Sequence, residues 1–346
     1  MAKALIAMSG GVDSAVAAFM VKNMGIEPIG GIMHLHDSAD TESSIRDAKK
    51  IAERLAFPLH VFDFRQEFKE KVIENFIKSY EEGATPNPCI DCNRYFKFAR
   101  LLEECDKLGC DYLVTGHYAQ IEYNEAEDSY FLKCAIDDSK DQSYVLYSLT
   151  QKQLSRIIFP LGGYSKAEIR KIAEDNGFVN ANKKDSQDIC FVPDGDYVKI
   201  IEGATGKNYP CGDFVTTDGK VLGQHKGIIR YTIGQRRGLG LALPAPLYVC
   251  QKDVLNNRVV LCSNQELFKD EILIKDVNYI PKNTPKEPFC ANVKIRYNQR
   301  ATPATVIPLD GGCARVLFQS PQRAPAKGQA AVLYNGEYVL GGGIII

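Results

Sequence analysis

The sequence predicts three units: an α/β domain built on a parallel sheet, a small central domain and a C-terminal β-barrel. Three patterns predict it. Strands and helices alternate through the first half of the chain. From about Gly195 the segments become short and rich in glycine and proline, and from Glu271 onward six short strands follow one another. The chain has 346 residues, enough for two or three domains with separate cores. The expected boundaries are 1–194, 195–265 and 266–346.

In the first unit, Ala4–Met8 reads as an apolar strand, Ser14–Met24 as a helix ended by Gly25, and Ile29–Met33 as a second strand. Glu42–Leu55 reads as a helix, Leu59–Asp63 as a strand and Phe68–Glu82 as a long amphipathic helix. Asn93–Leu108 is a further helix that feeds the strand Tyr112–Thr115. This alternation indicates a parallel sheet covered on both faces. Ligands of such sheets bind at the carboxyl ends of the strands, so the loops after Met8, Met33 and Thr115 should meet around one crevice. Ser165 and Glu168 form a capping box for a helix over Lys166–Asn176. The six late strands are Glu271–Val277, Phe289–Arg296, Ala301–Pro308, Cys313–Phe318, Gln329–Tyr334 and Tyr338–Gly341, a pattern that suggests a small closed barrel or sandwich.

Composition narrows the class. The apolar start, Ala4 to Met24, is broken by a glycine-bearing polar loop and an aspartate, and no other run is long enough to span a bilayer. A cytosolic protein without a membrane partner is expected. Eleven cysteines, an odd number spread over a long chain, argue for reduced thiols rather than a disulfide framework; most should be small buried hydrophobes, Cys105 and Cys110 among them. Net charge is −1, yet no acidic residue falls between Asp218 and Asp253, where Lys220, Lys226, Arg230, Arg236, Arg237 and Lys252 all lie. Pro288 to Leu309 is also free of acids and carries Lys294, Arg296 and Arg300. Local basic faces of this kind bind phosphate even on a neutral protein.

The chemistry starts in the first loop, Ser9-Gly10-Gly11-Val12-Asp13-Ser14. Two glycines let backbone approach an oligophosphate, and the helix that follows offers free N–H groups and a positive dipole end. The serine hydroxyls can donate to phosphate, and Asp13 can hold a magnesium ion. No lysine follows, so this is not the Walker loop. Two further segments carry cysteines: Thr85-Pro86-Asn87-Pro88-Cys89-Ile90-Asp91-Cys92-Asn93, and Lys184-Asp185-Ser186-Gln187-Asp188-Ile189-Cys190-Phe191. The two prolines bar a helix before Cys89, and Asn93 can cap the next one. A cysteine at a helix start should have a depressed pKa. A zinc site built on Cys89 and Cys92 lacks a second Cys-x-x-Cys pair. His34 and His36 at a strand end could bind metal but suit a solvent-facing loop better.

The Ser-Gly-Gly-Val-Asp-Ser loop after an N-terminal strand resembles the signature of the PP-loop ATP pyrophosphatases, which have a Rossmann-like α/β domain and activate a carbonyl oxygen as its adenylate. On that resemblance Ala7, Met8, Ser9, Gly10, Gly11, Val12, Asp13 and Ser14 would bind ATP with magnesium, Met33 would touch adenine, and Gly116 would approach the nucleotide. With the cysteine loops, the match extends over the whole chain and resembles the MnmA-type tRNA-specific 2-thiouridylases. It includes Thr115-Gly116-His117-Tyr118, Lys140-Asp141-Gln142-Ser143-Tyr144, Tyr231 to Gly240, Lys294-Ile295-Arg296-Tyr297 and the C-terminal Leu340-Gly341-Gly342-Gly343-Ile344-Ile345.

The resemblance implies ATP-dependent 2-thiolation of the wobble uridine (tRNA position 34), through adenylation of its C2 oxygen. Cys190 would carry a persulfide, and Cys92 would resolve it to a Cys92–Cys190 disulfide. Asn87, Pro88 and Cys89 would contact the target base, while His117, Lys140, Asp141, Gln142, Arg296, Tyr297 and Gln329 would contact tRNA. The expected partners are the Lys, Glu and Gln isoacceptors and a cysteine desulfurase or sulfur-relay protein. The sequence departs from the family pattern at Cys89, where aspartate is usual, and in the short segment His34 to Thr41. Cys89, Cys92 and Cys190 together would suit a [4Fe–4S] cluster with one open iron position, which gives an alternative route to the same product. A PP-loop ligase or amidotransferase attacking with ammonia is another reading, and it would not need Cys92 or Cys190.

Overall fold

The computed structural model describes residues 1–178, 189–192, 194–283 and 285–346. Strand β1 (Lys3–Met8) is apolar and almost wholly buried, as a central parallel strand must be. It pairs with β2 (Glu27–His34), which pairs with β3 (Leu59–Asp63), and on its other side with β4 (Tyr112–Val114). After β4 the chain makes an antiparallel hairpin, β5 (Gln120–Asn124) and β6 (Ser129–Lys133), and then adds a fifth parallel strand, β7 (Ile157–Ile158). The parallel sheet runs β3-β2-β1-β4-β7. Helix α1 (Val12–Asn23) packs on it through Ala15, Val16, Ala17, Ala18 and Val21. On the other face sit a helix over residues 65–81 and one over residues 88–107, with Phe68, Phe76, Phe96 and Phe98 in the core. Helix α2 (Ala39–Leu55) and the helix Lys166–Asp175 complete the layers, the latter with the expected Ser165/Glu168 capping box.

The cysteine-bearing helix begins earlier than the sequence suggests. Pro88 occupies its first position, where its missing N–H costs nothing, and the Asn87 side chain caps it by accepting from the Cys89 N–H at 3.1 Å. Asn93 is therefore not a cap. It is buried within the helix and donates to the Val145 carbonyl at 3.1 Å.

The second unit is a four-stranded sheet of β8 (Gly212–Thr216), β9 (Val221–His225), β10 (Tyr248–Asp253) and β11 (Arg258–Cys262), ordered β10-β11-β8-β9. The third holds the six expected strands: β12 (Phe268–Tyr279), β13 (Phe289–Lys294), β14 (Thr302–Leu309), β15 (Cys313–Arg323), β16 (Ala330–Asn335) and β17 (Tyr338–Ile345). They run β12-β15-β14-β13-β16-β17, and pairing of β12 with β17 closes the barrel. Val293, Val306, Val316 and Leu333 fill it. The hairpin β5–β6 extends this barrel sheet, β6 pairing with β17 at Leu132↔Val339, so the first domain is bonded to the third through backbone. Among the described residues, no helix is long and apolar enough to cross a membrane.

Candidate active site

The loop after β1 lies where the sequence places it, between β1 and α1. Gly10 has φ +68°, and a Cβ there would stand 2.5 Å from the Ser44 carbonyl oxygen, so only glycine fits. Gly11 caps α1 without a side chain, which leaves the first N–H groups of the helix without intrahelical partners. Ser9 Oγ donates to Ser14 Oγ at 3.2 Å, and Ser14 Oγ donates to the Gly11 carbonyl at 3.0 Å. Ala7 and Met8 end β1, and Met33 lies on β2 one residue past the partner of Met8. Gly116, after β4, comes so close that a Cβ would lie 3.0 Å from Ser14 N. The loops after β1 and β4 thus meet as expected.

Asp13 does something other than its sequence suggests. Lys166 Nζ donates to both of its carboxylate oxygens, at 2.7 and 2.8 Å, and Tyr118 Oη donates to one at 2.8 Å. A magnesium ion at Asp13 would have to displace a buried ammonium, so Asp13 as placed does not fit a metal ligand. A lysine at the first position of a helix opposes the helix dipole; that is the one hint of Lys166 in the sequence. Its partner lies 153 residues away.

The thiols lie on other segments. Cys89 and Cys92, three residues apart on one helix, share a face. Cys190 sits close enough that its charge and that of Cys89 both act on Cys92, and that of Cys89 acts on Cys190. Cys89 and Cys190 reach solvent, while Cys92 is buried. Burial pushes all three thiols up, Cys190 to about 11 and Cys92 to about 12. This corrects the expectation of a depressed pKa, because desolvation outweighs the helix N-terminus. The Lys97 ammonium opposes the rise at each of the three thiols. The segment Lys184 to Asp188, which precedes Cys190 in the expected motif, lies outside the described residues.

Asp91, two residues from Cys89, accepts from Asn75 Nδ2 at 2.7 Å, burial raises its carboxyl, and its charge also acts on Cys92. All eleven cysteines are unpaired. Among the described residues, no three Cys, His, Asp or Glu side chains are grouped as a metal's ligand set. His34 bonds Asp37 at 3.1 Å and His36 packs on Phe68. Cys105 and Cys110 are core residues, as expected.

Lys97 is a residue that sequence reasoning missed. Its Nζ lies 3.3 Å from His117 Nε2, and His117 Nδ1 lies 2.6 Å from Thr115 Oγ1. Burial first, and then Lys97, hold His117 well below its ordinary pKa, so the neutral ring accepts from Lys97 and donates to Thr115. His117 is 6% exposed and turns inward to this chain rather than to an RNA surface. Gln142 Oε1 accepts from the Tyr118 N–H at 2.9 Å, and Tyr297 Oη donates to the Asp141 carbonyl at 3.0 Å. Gln142 is therefore tied through Tyr118 to Asp13, and its neighbour Asp141 to the exposed Tyr297. Arg296 donates to the carbonyls of Ile233 and Ala324, at 3.1 and 2.8 Å, so it latches the central domain to the barrel. Gln329 donates to the Thr85 carbonyl at 2.6 Å, just ahead of Asn87, Pro88 and Cys89.

A family model described as the tRNA methyl transferase HUP domain matches residues 2–194. A PRC-barrel domain model of the same name matches residues 200–263, and an aminomethyltransferase beta-barrel domain model matches residues 269–345. The tRNA-specific 2-thiouridylase MnmA of Clostridioides difficile (strain 630) is 45% identical, covering 99% of this chain and 98% of that protein. The chain belongs to the tRNA-specific 2-thiouridylase family. The 2-thiouridylase of Acetivibrio thermocellus is 44% identical, with 99% of both chains covered. This is a family of sulfurtransferase enzymes, and it accounts for the parallel-sheet domain, the small central domain and the barrel. Solved structures with some likeness include the U34-tRNA thiolase NcsA from Methanococcus maripaludis with its [4Fe-4S] cluster, at TM-score 0.38 and 20% identity, covering 60% of this chain and 67% of that one. A 4-thiouridine synthetase–RNA complex with bound ATP aligns at TM-score 0.35 and 19% identity, covering 58% of this chain and 50% of that one.

Proposed function

We propose that this 2-thiouridylase-family chain replaces the C2 oxygen of the wobble uridine of tRNA with sulfur, at the expense of ATP. The observation that carries the reading is the approach of Cys190 to the helix that bears Cys89 and Cys92, in a domain whose first strand and helix are joined by a glycine-rich loop. Residues Ala7 to Ser14, with Met33 and Gly116, bind ATP in this proposal, the free N–H groups of α1 receiving phosphate. The C2 oxygen attacks the α-phosphorus, pyrophosphate leaves, and the base is held as its adenylate. The terminal sulfur of a Cys190 persulfide then attacks C2, and AMP departs with the former carbonyl oxygen. Cys92 attacks the Cys190 sulfur, releasing thiouridine and leaving a Cys92–Cys190 disulfide that an external dithiol reduces.

A persulfide ionises more readily than a thiol, which suits a crevice that holds ordinary thiols protonated. Cys92 needs help to ionise, and Lys97 supplies the nearby positive charge. The proposal takes residues 1–194 as the catalytic domain, with 195–265 and 266–346 gripping the anticodon stem-loop of Lys, Glu and Gln tRNAs in the cytosol. Arg236, Arg237, Lys140 and Tyr297 are the better candidates for RNA contact, while Arg296, His117 and Gln329 act inside the protein. The sulfur comes from a cysteine desulfurase or a relay protein. The test is reconstitution with unmodified tRNA, ATP and a desulfurase, followed by nucleoside mass spectrometry. Wobble 2-thiouridine that requires ATP supports the reading; unmodified uridine, or a product carrying nitrogen from added ammonia, rejects it.

A further inference from the structure

Residues 82–87 join the helix of residues 65–81 to the cysteine-bearing helix of residues 88–107, and both C-terminal domains hold this joint. From the central domain, Lys252 Nζ donates to the Ala84 carbonyl at 3.2 Å and lies 5.6 Å over the Tyr80 ring. From the barrel, Gln329 Nε2 donates to the Thr85 carbonyl at 2.6 Å, and the Thr85 N–H donates to the Lys327 carbonyl at 2.8 Å. Gly328, between those two barrel residues, approaches so closely that a Cβ would stand 3.1 Å from Ala84 Cβ and 3.2 Å from Thr85 N. The barrel turn is in turn bonded to the end of β17 through Gly328 N–H to Ile345 O, and Ile345 N–H to Gln329 O, each at 2.9 Å.

Adjacent carbonyls, Ala84 and Thr85, are thus taken by two different domains. Between them and the cysteines stand Pro86 and Pro88, whose rings fix φ, and Asn87, whose side chain caps the helix at Cys89. A shift of Thr85 has little slack in which to dissipate before it reaches Cys89 and, one helical turn on, Cys92. The exposed basic and aromatic residues Arg236, Arg237 and Tyr297 lie on the same two domains that hold the joint.

We propose that the Ala84–Thr85 joint couples the seating of tRNA on the two C-terminal domains to the placement of Cys89 and Cys92, with Gln329 and Lys252 as positioning residues. This rests on the sulfur-transfer reading for its purpose, though not for its mechanics.

The experiment uses the full chain as wild type, Gln329→Met and Lys252→Met, each with and without tRNA, and takes two readouts. The first is the alkylation rate of Cys89 and Cys92 with iodoacetamide, quantified by peptide mass spectrometry, which needs no catalysis. Addition of tRNA changes that rate in the wild type and leaves it unchanged in the variants. The second is turnover at saturating tRNA: thiolated product falls about ten- to hundredfold in Gln329→Met, while tRNA affinity and tRNA-dependent pyrophosphate release stay within about twofold. Equal tRNA effects on alkylation in wild type and variants overturn the proposal. So does a loss of affinity with turnover intact, which would make Gln329 an RNA contact, or a proportional fall of product and pyrophosphate, which would mark general damage. If the wild type makes no thiolated tRNA but its alkylation still answers to tRNA through Gln329 and Lys252, the sulfur-transfer reading fails and the coupling stands.

Discussion

Lys97 stands five residues after Cys92 and eight after Cys89, and its charge works against the burial that keeps both thiols protonated. Lys97→Met removes that opposition, so alkylation of Cys92 at fixed pH slows, about tenfold for each unit by which the thiol rises. Lys97→Arg restores part of the rate, and a pH profile of alkylation separates this effect from loss of structure. The same burial gives stability a signature. The folded state holds the Cys92 proton up to about pH 12, whereas an unfolded cysteine releases it near pH 8.5. Its contribution is therefore complete below the unfolded value and is lost as pH rises toward the folded one. Cys92→Ser should flatten the alkaline fall in stability, as seen in urea unfolding at a series of pH values from neutral upward. At Asp13 the Lys166 side chain is 9% exposed and that of Asp13 is 30% exposed. Lys166→Met strands a half-enclosed carboxylate and should cost about 2 kcal/mol, less than a fully buried pair would; an unchanged denaturation midpoint would show that the pair contributes nothing.

At the scale of elements, the backbone explains how Lys97 comes to serve Cys92. In an α-helix a residue five positions on lies about 140° around the axis. From Asn93 to Arg100 the helix is π-helical, bonding each residue to one five along, so Lys97 returns to the side of Cys92 one wide turn later. The loop at Gly10 makes a second local demand, and Gly10→Ala should cost about 1–3 kcal/mol through left-handed strain and the clash at Ser44, with ATP-dependent pyrophosphate release lost before the fold. Much of this level was legible in the sequence. The parallel strands and barrel strands are apolar or alternating, and the phosphate-type loop is contiguous. The hairpin β5–β6 was not legible, because Gln120, Glu122 and Asn124 make it polar and its partner, β17, lies some 200 residues away. The start of the cysteine helix was missed because Pro88 reads as a breaker, although it is favoured at a first helical position. Lys97 and Lys166 left little trace in sequence, since each acts on residues brought near only by the fold.

For the whole molecule, a half-buried arginine holds the barrel and the central domain together. Arg296 bonds carbonyls of both, and burial lowers its pKa, with Arg323 adding to the effect. Arg296→Ala should lower the unfolding midpoint through two lost charge-assisted bonds, about 2–3 kcal/mol, and leave the salt dependence of tRNA binding unchanged. A flatter salt slope with unaltered stability would return Arg296 to the RNA interface. The central claim is that two cysteines from distant segments act in sequence on one sulfur atom. A single turnover of persulfidated protein with ATP and tRNA, without reductant, tests it most directly by mass spectrometry of the protein. The account predicts one Cys92–Cys190 disulfide for each 2-thiouridine formed, and no product from Cys190→Ser. Undiminished thiolation by Cys190→Ser, or product formed with both cysteines still reduced, would contradict it.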